Sequence, residues 1–222
     1  MSINYSNLKK KFYKLKNSKI LKIDNFLEKN FLNKIKEEIT LLEKKNQSKA
    51  FYLKGKSDKL EYLDFGKFQN NSRKLIKILS GKKFKLFLKK NLKIDDTLYP
   101  DSSNSFSGFN IVKKNGFLKT HADFNFNNKI KKFRTLNLLI YFNSAWKKNY
   151  GGNLSLYDYS SRKPKYTFLA QNNRCLVFIT NKYTPHGYKK LTTNKKRVSL
   201  NFYYYTKKNF SYSEKPHKTI WW

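Results

Sequence analysis

The sequence has very little cysteine, and its single thiol excludes an intramolecular disulfide. No Cys-x-x-Cys motif and no zinc-type Cys/His spacing is present. Cys175 lies in an apolar run, so we interpret it as a buried structural thiol and not as a nucleophile. No apolar run approaches the roughly 18 residues of a membrane-spanning helix, and the N-terminus lacks the apolar region of a signal peptide. These absences predict a soluble, cytoplasmic protein.

Acidic residues are also scarce. The chain has 14 Asp and Glu against 49 Lys and Arg, a formal net charge of +35. Such a charge attracts polyanions, so a basic, non-enzymatic polyanion-binding module is one hypothesis. The basic residues are mostly Lys and are spread along the whole chain, in a composition rich in Asn, Ile, Phe and Tyr. We interpret the charge as compositional, and we do not expect nucleic acid as a specific substrate.

The chain has 222 residues, of which 39% are hydrophobic, enough for one structural unit with a sizeable core. Residues 1–20 show little periodicity of apolar residues. The pattern of 20–27 predicts a strand, and that of 51–68 does not distinguish between helix and strand. Apolar residues then recur at helical spacing. They predict three helices. The first spans 30–45, the second begins at an N-cap at Asn71 or Ser72 and ends at a C-cap at Gly81, and the third spans 84–92.

The character of the chain changes after the loop at 99–104. From 105 onward, short strands alternate with turns, which is typical of a sandwich or jelly roll. The turn at 113–116 contains Asn-Gly and predicts a tight hairpin. The predicted strands are 106–112, 117–123, 136–142, 153–157, 166–169, 174–180 and 197–205. The fold class is therefore α+β, with supporting helices in 1–104, a β core in 105–206 and a tail in 207–222.

The chain has only three histidines, and two of them carry the functional hypothesis. His121 and Asp123 are two residues apart, so on a strand both project from one face. His186 would complete a 2-His-1-carboxylate set, the ligands of non-haem Fe(II) sites with open positions. Taken singly, each histidine would more often be an ordinary core or surface residue. His217, in the basic tail, is interpreted as a surface residue.

Arg197 follows His186 by eleven residues and opens a predicted strand. A buried guanidinium is costly unless it is paired, so its presence argues for a carboxylate partner. Its planar fork suits a bidentate contact with a carboxylate. Ser199 projects from the same face of the strand and could add a hydroxyl donor.

These positions, together with the segments between them, carry a resemblance to a known family. The matching elements are His121-x-Asp123, His186, Arg197-x-Ser199, the run Arg134 to Asn143 followed by Trp146, Gly151 to Tyr157, and Asn173 to Phe178. In order and spacing they resemble the Fe(II)/2-oxoglutarate-dependent oxygenases, prolyl 4-hydroxylase-like branch. The resemblance covers about residues 105–206.

The resemblance implies a double-stranded β-helix in which His121, Asp123 and His186 bind Fe(II). It implies that 2-oxoglutarate chelates the metal and that its 5-carboxylate pairs with Arg197. By the family pattern, Tyr141 donates its hydroxyl to the co-substrate and Leu154 lines its pocket; Asn110 is a further candidate for the pocket. O2 would be consumed and succinate and CO2 released while a C–H bond is hydroxylated. Ascorbate is an implied additional cofactor.

The substrate stays open at this point. The branch implies a prolyl residue of a protein, and a small molecule is the alternative. A cupin-like metal enzyme that does not use 2-oxoglutarate is a second reading, against which Arg197-x-Ser199 argues. The alkylation-repair branch places a second Arg six residues after the first, where this chain has Tyr203. Trp146 is expected to pack in the core, Arg134 to cap a strand edge or contact substrate, and Trp221 and Trp222 are unassigned.

Overall fold

The computed structural model describes residues 2–16, 18–45, 49–50, 59–101, 106–208 and 215–222. The described chain is mostly β-sheet with few helices. Three α-helices lie in its first half: α1 at Lys29–Lys44, α2 at Asn70–Ser80 and α3 at Lys82–Leu92. Each lies within two residues of a helix predicted from the spacing of apolar residues. In α1 the predicted stripe is buried: Phe31, Leu32, Ile35, Ile39 and Leu42.

The strands span the chain from its first residues to its last. In order they are β1 Lys9–Leu15, β2 Ser18–Asp24, β3 Lys49–Ala50, β4 Lys59–Tyr62, β5 Tyr99–Pro100, β6 Gly108–Val112, β7 Leu118–Ala122, β8 Phe126–Asn127, β9 Lys132–Tyr141, β10 Leu154–Tyr157, β11 Pro164–Phe168, β12 Arg174–Ile179, β13 His186–Tyr188, β14 Arg197–Thr206 and β15 Ile220–Trp221.

These strands form two antiparallel sheets. The large sheet has the order β1-β2-β12-β9-β14-β6-β4-β3, with β5 also paired to β14 and β8 to β9. The small sheet has the order β11-β10-β13-β7-β15. Some neighbours are consecutive in the chain, such as β1 and β2, but others, such as β9 and β14 or β7 and β13, are distant in sequence, so residues far apart in the chain are brought together.

Strand β9 shows how the large sheet is covered on both faces. Its side chains alternate between faces. Leu136, Leu138 and Ile140 join the core that packs under the helices. Leu139 and Tyr141 join a second core, which also contains residues of the small sheet such as Leu154 of β10. The helices therefore cover one face of the large sheet, and the small sheet covers the other.

A residue of α1 accepts the hydrogen bonds of N–H groups in the first turn of α2. The buried carboxylate of Glu38 accepts bonds from the backbone N–H groups of Asn71 (2.9 Å) and Ser72 (2.7 Å), and from both of their side chains (2.7 Å each). The residue at the N-cap position is Gln69, and its side chain makes no cap bond. The prediction of a local cap at Asn71 or Ser72 was therefore wrong. An acidic group from a neighbouring helix supplies the acceptor that the first-turn N–H groups need.

The helix end at Gly81 also differs from a standard C-cap. Gly81 does follow α2, but its φ is −70°, outside the left-handed region that a C-terminal glycine usually adopts. The same residue stands at the N-cap of α3. One short kink thus ends α2 and begins α3.

The predicted hairpin around Asn115 is not formed. The turn exists, since the N–H of Gly116 donates to the carbonyl of Lys113 at 3.0 Å. However, β6 pairs with β14 and β4, whereas β7 pairs with β13 and β15. The Asn-Gly turn therefore connects the large sheet to the small one, because the two strands that flank it pair with other strands and not with each other.

Two further segments contain more structure than their sequence indicates. The unpatterned lead-in contains β1, an edge strand in which Leu15 is its one buried residue, so no alternation of apolar residues marks it. In the predicted loop at 99–104, the first two residues form β5 against β14; 102–105 lie outside the described residues. In the segment 51–68, whose sequence indicates no clear secondary structure, residues 51–58 also lie outside the described residues and 59–62 form β4.

The structure agrees with the interpretation of Cys175 as a buried thiol. Cys175 is fully buried, and burial raises the pKa of its thiol well above the usual range. Among the described residues, no helix is both long and apolar enough to cross a membrane.

We predict that Glu38→Ala lowers the free energy of unfolding by about 2 kcal/mol, because it leaves first-turn donors of α2 without an acceptor. Urea denaturation measures this value, and Glu37→Ala, at an exposed position of the same helix, is the control. Burial by itself would raise the pKa of Glu38, but the bonds from Ser72 and Asn71 outweigh it and lower the pKa. The stabilisation is therefore present above the ordinary pKa of 4.5 and is lost as the pH falls through the lowered one. An equal loss of stability in both variants would contradict this role.

Candidate active site

The two histidines are direct partners across the small sheet. Strand β13 pairs with β7 so that His186 lies opposite His121. Directly opposed residues of an antiparallel pair project from the same face. The two imidazole rings accordingly lie with their centroids 4.6 Å apart.

Asp123 follows the end of β7 and turns its carboxylate toward both rings. His121 Nε2 lies 3.4 Å from Asp123 Oδ1, and His186 Nε2 lies 3.4 Å from Oδ2. One ligand atom from each of the three buried side chains lies within 4.8 Å of the others. Two imidazole nitrogens and one carboxylate oxygen at this spacing could hold a metal ion such as Fe(II).

The orientation of both rings is set by backbone carbonyls. Nδ1 of His121 lies 3.0 Å from the carbonyl oxygen of Lys119, and Nδ1 of His186 lies 3.1 Å from that of Thr184. When Nδ1 carries the proton, the lone pair of Nε2 is free and is directed at the space between the three side chains. Burial, opposed by Asp123, lowers the pKa of His186 to about 4, so its ring is neutral at physiological pH.

The carboxylate of Asp123 is held by two groups of β9. Asn137 Nδ2 donates to Asp123 Oδ2 at 2.6 Å, and Arg134 Nη2 approaches the same oxygen at 3.2 Å. Arg134 Nε also donates to Asn137 Oδ1 at 3.1 Å. Burial would raise the pKa of Asp123, but the charge of Arg134, followed by the interactions with His186 and His121, outweighs it and holds the pKa well below its usual range. Asp123 is therefore an anion without any metal.

Arg134 is itself almost completely buried, with 4% of its surface exposed. Its guanidinium carbon lies 3.8 Å from the ring centre of Tyr203 and 4.8 Å from that of Phe124. The sequence led us to expect that Arg134 either caps a strand edge or contacts the substrate. The structure does not show a strand-edge cap. The residue supports Asp123 and lines the cavity.

Arg197, at the start of β14, is the second buried guanidinium of the site, with 2% of its surface exposed. It donates from Nε to the carbonyl of Gly152 at 2.6 Å, from Nη1 to Ser199 Oγ at 3.4 Å and from Nη2 to Tyr141 Oη at 3.3 Å. Its guanidinium carbon also lies 4.3 Å from the ring centre of Tyr188. Among the described residues, no carboxylate pairs with Arg197. A buried cation with only neutral partners is suited to an anionic ligand.

Gly152 is required for this approach. Its φ is +64°, and a Cβ built on it would lie 2.9 Å from Cδ of Arg197. The backbone can pass close to the guanidinium and offer its carbonyl only because no side chain stands between them.

A cavity of about 310 Å³ joins the two halves of the site. Its lining includes His121, Asp123, His186, Arg197 and Leu154. Metal-ligand candidates of the small sheet thus share one space with the arginine of the large sheet.

Next to Arg197, the large sheet carries a row of polar side chains, of which Asn110 lines the cavity while Ser199 and Tyr141 are fully buried behind it. Ser199 of β14 lies opposite Asn110 of β6 on one side and Tyr141 of β9 on the other. Ser199 Oγ donates to Asn201 Oδ1 at 3.0 Å. Asn110 lines the cavity, as the sequence predicts, and its buried Oδ1 has no partner within the described part of the protein.

Sequence reasoning missed the contribution of the tail. Trp221 and Thr219 line the cavity, and β15 pairs with β7 beside His121. The run Thr-Ile-Trp-Trp has high β-propensity, which was the available signal. His217 is half-buried and bonds through its backbone to Asn125. Trp146 is buried and donates to Asn153 Oδ1 at 3.1 Å, in agreement with a packing role.

Comparison with known proteins identifies the class. Residues 107–205 match the family described as the 2OG-Fe(II) oxygenase superfamily. This part of the chain carries every candidate residue except the tail, and the match confirms the enzyme class expected from the sequence, a 2-oxoglutarate-dependent oxygenase. No curated protein sequence matches the chain.

Solved structures with the same fold include prolyl hydroxylases. A prolyl-4-hydroxylase of Pseudomonas putida superposes with a TM-score of 0.65 at 14% identity, over 84% of this chain and 92% of that one. A prolyl hydroxylase of Trichoplax adhaerens, in complex with a hypoxia inducible factor peptide fragment, gives 0.66 at 15% identity over 84% and 83%. HygX of Streptomyces hygroscopicus, with nickel, 2-oxoglutarate and hygromycin B bound, gives 0.59 at 11% identity over 84% and 82%.

We predict that Arg134→Leu destabilises the chelator-treated protein by about 3 kcal/mol, because it leaves the buried Asp123 anion without its cation. Adding Asp123→Asn removes that anion, so the double variant should recover part of the loss. Urea denaturation of wild type, both single variants and the double variant gives the coupling. A double variant no more stable than Arg134→Leu would show that the charge of Asp123 is not what Arg134 compensates.

Proposed function

We propose that His121, Asp123 and His186 bind the Fe(II) of this oxygenase and that Arg197 anchors the 2-oxoglutarate. The observation that carries the second assignment is the buried guanidinium of Arg197, which shares a cavity with the triad and has no carboxylate partner among the described residues. The 5-carboxylate of 2-oxoglutarate supplies the missing anion.

The chain's own residues prepare the site for both groups. The carbonyls of Lys119 and Thr184 keep Nε2 of the two histidines directed at the metal position. Arg134 and Asn137 keep Asp123 ionised and oriented. The bound metal and co-substrate supply the activation of O2 for C–H hydroxylation. The protein contributes position, charge and a space shielded from water.

The co-substrate end of the cavity is formed by β14 and β9. We assign Tyr141 and Ser199 as hydroxyl partners of the 5-carboxylate, because both already contact Arg197. Both hydroxyls can reorient to donate to a carboxylate. Leu154, almost fully buried, forms an apolar wall of the same space.

The two facing sheets support the finer description of the fold as a double-stranded β-helix over 105–206. The metal-ligand candidates lie on the small sheet and the co-substrate anchor on the large one. We propose that 1–104 supplies the supporting helices. The tail at 207–222 is an added element, and α1 to α3 pack on the face of the large sheet away from the site.

For the substrate we propose a prolyl residue of a protein, with a small molecule as the alternative. Relatives of similar fold support both: the Trichoplax enzyme was solved with a peptide, and HygX with hygromycin B. Arg134 favours a peptide, since it lines the cavity and, among the described contacts, none uses its Nη1. That N–H group is available for a substrate carbonyl. Ascorbate as a cofactor and a cytoplasmic location stay predictions.

A cupin-like metal enzyme without 2-oxoglutarate is disfavoured by the same observation. Such an enzyme would have no use for a buried, carboxylate-free arginine beside its metal. The polyanion-binding hypothesis accounts for the net charge but for none of the buried groups.

We predict that purified protein with Fe(II), 2-oxoglutarate and O2 forms succinate, and that His186→Ala reduces the rate at least about 100-fold because an open ligand position weakens metal binding. The matched control is His217→Ala, at the third histidine, which should keep wild-type turnover. Proline-containing peptides and an aminoglycoside serve as candidate substrates in parallel. Succinate no higher than in His186→Ala, with every candidate, would contradict the proposed function.

We predict that Arg197→Gln raises the dissociation constant for 2-oxoglutarate at least about tenfold, since a charge-assisted bidentate contact is lost. Calorimetric titration of the anaerobic Mn(II)-loaded protein measures this constant. Metal affinity should stay within about twofold, because the described contacts of Arg197 do not include the triad. Arg197→Lys, which keeps the charge but not the fork, should be intermediate. Loss of metal binding with unchanged 2-oxoglutarate affinity would show that the assignment is wrong.

A further inference from the structure

We propose that the C-terminal segment 215–222 supports the metal-bearing strand β7 through its backbone and that, within this segment, Trp221 is the positioning residue for His121. This inference rests on the metal site proposed above. It concerns residues that lie outside the segment matched by the family.

The segment is attached directly to the metal-bearing strand. Strand β15 pairs with β7 so that Ile220 lies opposite Ala122 and Trp221 opposite His121. One residue further, the N–H of Trp222 donates to the carbonyl of Thr120 at 2.9 Å. The tail thus becomes an edge strand of the small sheet.

A second attachment lies just after Asp123. The side chain of Asn125 donates to the carbonyl of Lys215 at 3.1 Å and accepts from the N–H of His217 at 2.8 Å. The backbone N–H of Asn125 donates to the carbonyl of His217 at 3.3 Å. Asn125 is itself buried. The tail is therefore tied to the chain on both sides of the ligand pair His121 and Asp123.

The pairing places the indole against the imidazole. Because Trp221 is directly opposite His121, both side chains project from one face. Their ring centroids are 4.8 Å apart, with planes inclined by 31°. Nδ1 of His121 contacts the carbonyl of Lys119, and the indole of Trp221 packs against the imidazole ring. Two contacts restrict a ring that would otherwise rotate about its side-chain bonds.

The same side chain forms a wall of the cavity. Trp221 lines it together with Thr219, and 38% of the Trp221 surface is exposed. Its position beside a proposed metal ligand gives it two tasks, to hold His121 and to bound the space where substrate enters.

Trp222 provides a matched comparison within the same strand. Successive side chains of a strand point to opposite faces. Trp222 accordingly packs on Tyr159, with centroids 5.5 Å apart, and under Arg162 at 5.5 Å, instead of on His121. A substitution there removes an equally large aromatic from the tail without touching the imidazole.

The test is Co(II) affinity, measured by calorimetric titration of chelator-treated protein without 2-oxoglutarate. We expect Trp221→Ala to weaken Co(II) binding about tenfold, the scale of losing a group that orients a metal ligand. Trp221→Phe, which keeps a stacking ring, should stay within threefold, as should Trp222→Ala. Equal affinity in Trp221→Ala and wild type would overturn the proposal, as would an equal loss in Trp222→Ala.

Fluorescence provides a second readout, which depends on the distance between the indole and the bound metal. Bound Co(II) quenches a nearby indole by energy transfer, so metal should quench wild type and Trp222→Phe strongly. Trp221→Phe should lose most of this quenching although it still binds metal. Undiminished quenching in Trp221→Phe would contradict the proposal. Failure of wild type to bind Co(II) would refute the metal site itself, whereas binding without succinate formation would refute only the proposed reaction.

Discussion

The antiparallel pairing of β13 with β7 is the contact on which the cavity depends. It sets His186 opposite His121, so that two residues from distant parts of the chain share one face of a narrow sheet. Asp123, one residue beyond the end of β7, then brings its carboxylate to within 4.8 Å of a nitrogen of each ring. The backbone carbonyls that orient both rings belong to the same two segments. The geometry of the candidate metal site is thus a consequence of strand register.

Two buried arginines serve this site in different ways. Arg134 has its counter-ion inside the protein, because Asp123 lies beside it, and its charge lowers the pKa of a carboxylate that burial alone would raise. Arg197 has hydroxyl and carbonyl partners only, in the described part of the chain. A buried cation left in this state is costly for an isolated protein and favourable for a carboxylate ligand. The contrast between the two residues supports a structural role for Arg134 and the proposed role of Arg197 in binding the co-substrate.

Local patterns predicted well the parts of the fold that depend on local burial. The apolar stripe of α1 and the apolar strands β9 and β12 appear where their spacing indicates. The predictions that failed were those in which a distant group outcompeted a local one. Glu38 supplies acceptors to α2 in place of a local cap, and the strands on either side of Asn115 pair with β14 and β13 instead of with each other. Edge strand β1, almost entirely solvent-exposed, left no apolar alternation to detect.

The sequence by itself determined the candidate ligands. Three histidines in the whole chain, a His-x-Asp pair, an arginine eleven residues after His186 and the family resemblance of the segments between them were together enough to name candidate metal and co-substrate residues. Only the tertiary structure decided that Arg134 and Asn137 hold Asp123, and that the tail lies against His121. Contacts between separate strands depend on register and sheet order, and these are set by the packing of the whole chain, which no local spacing encodes.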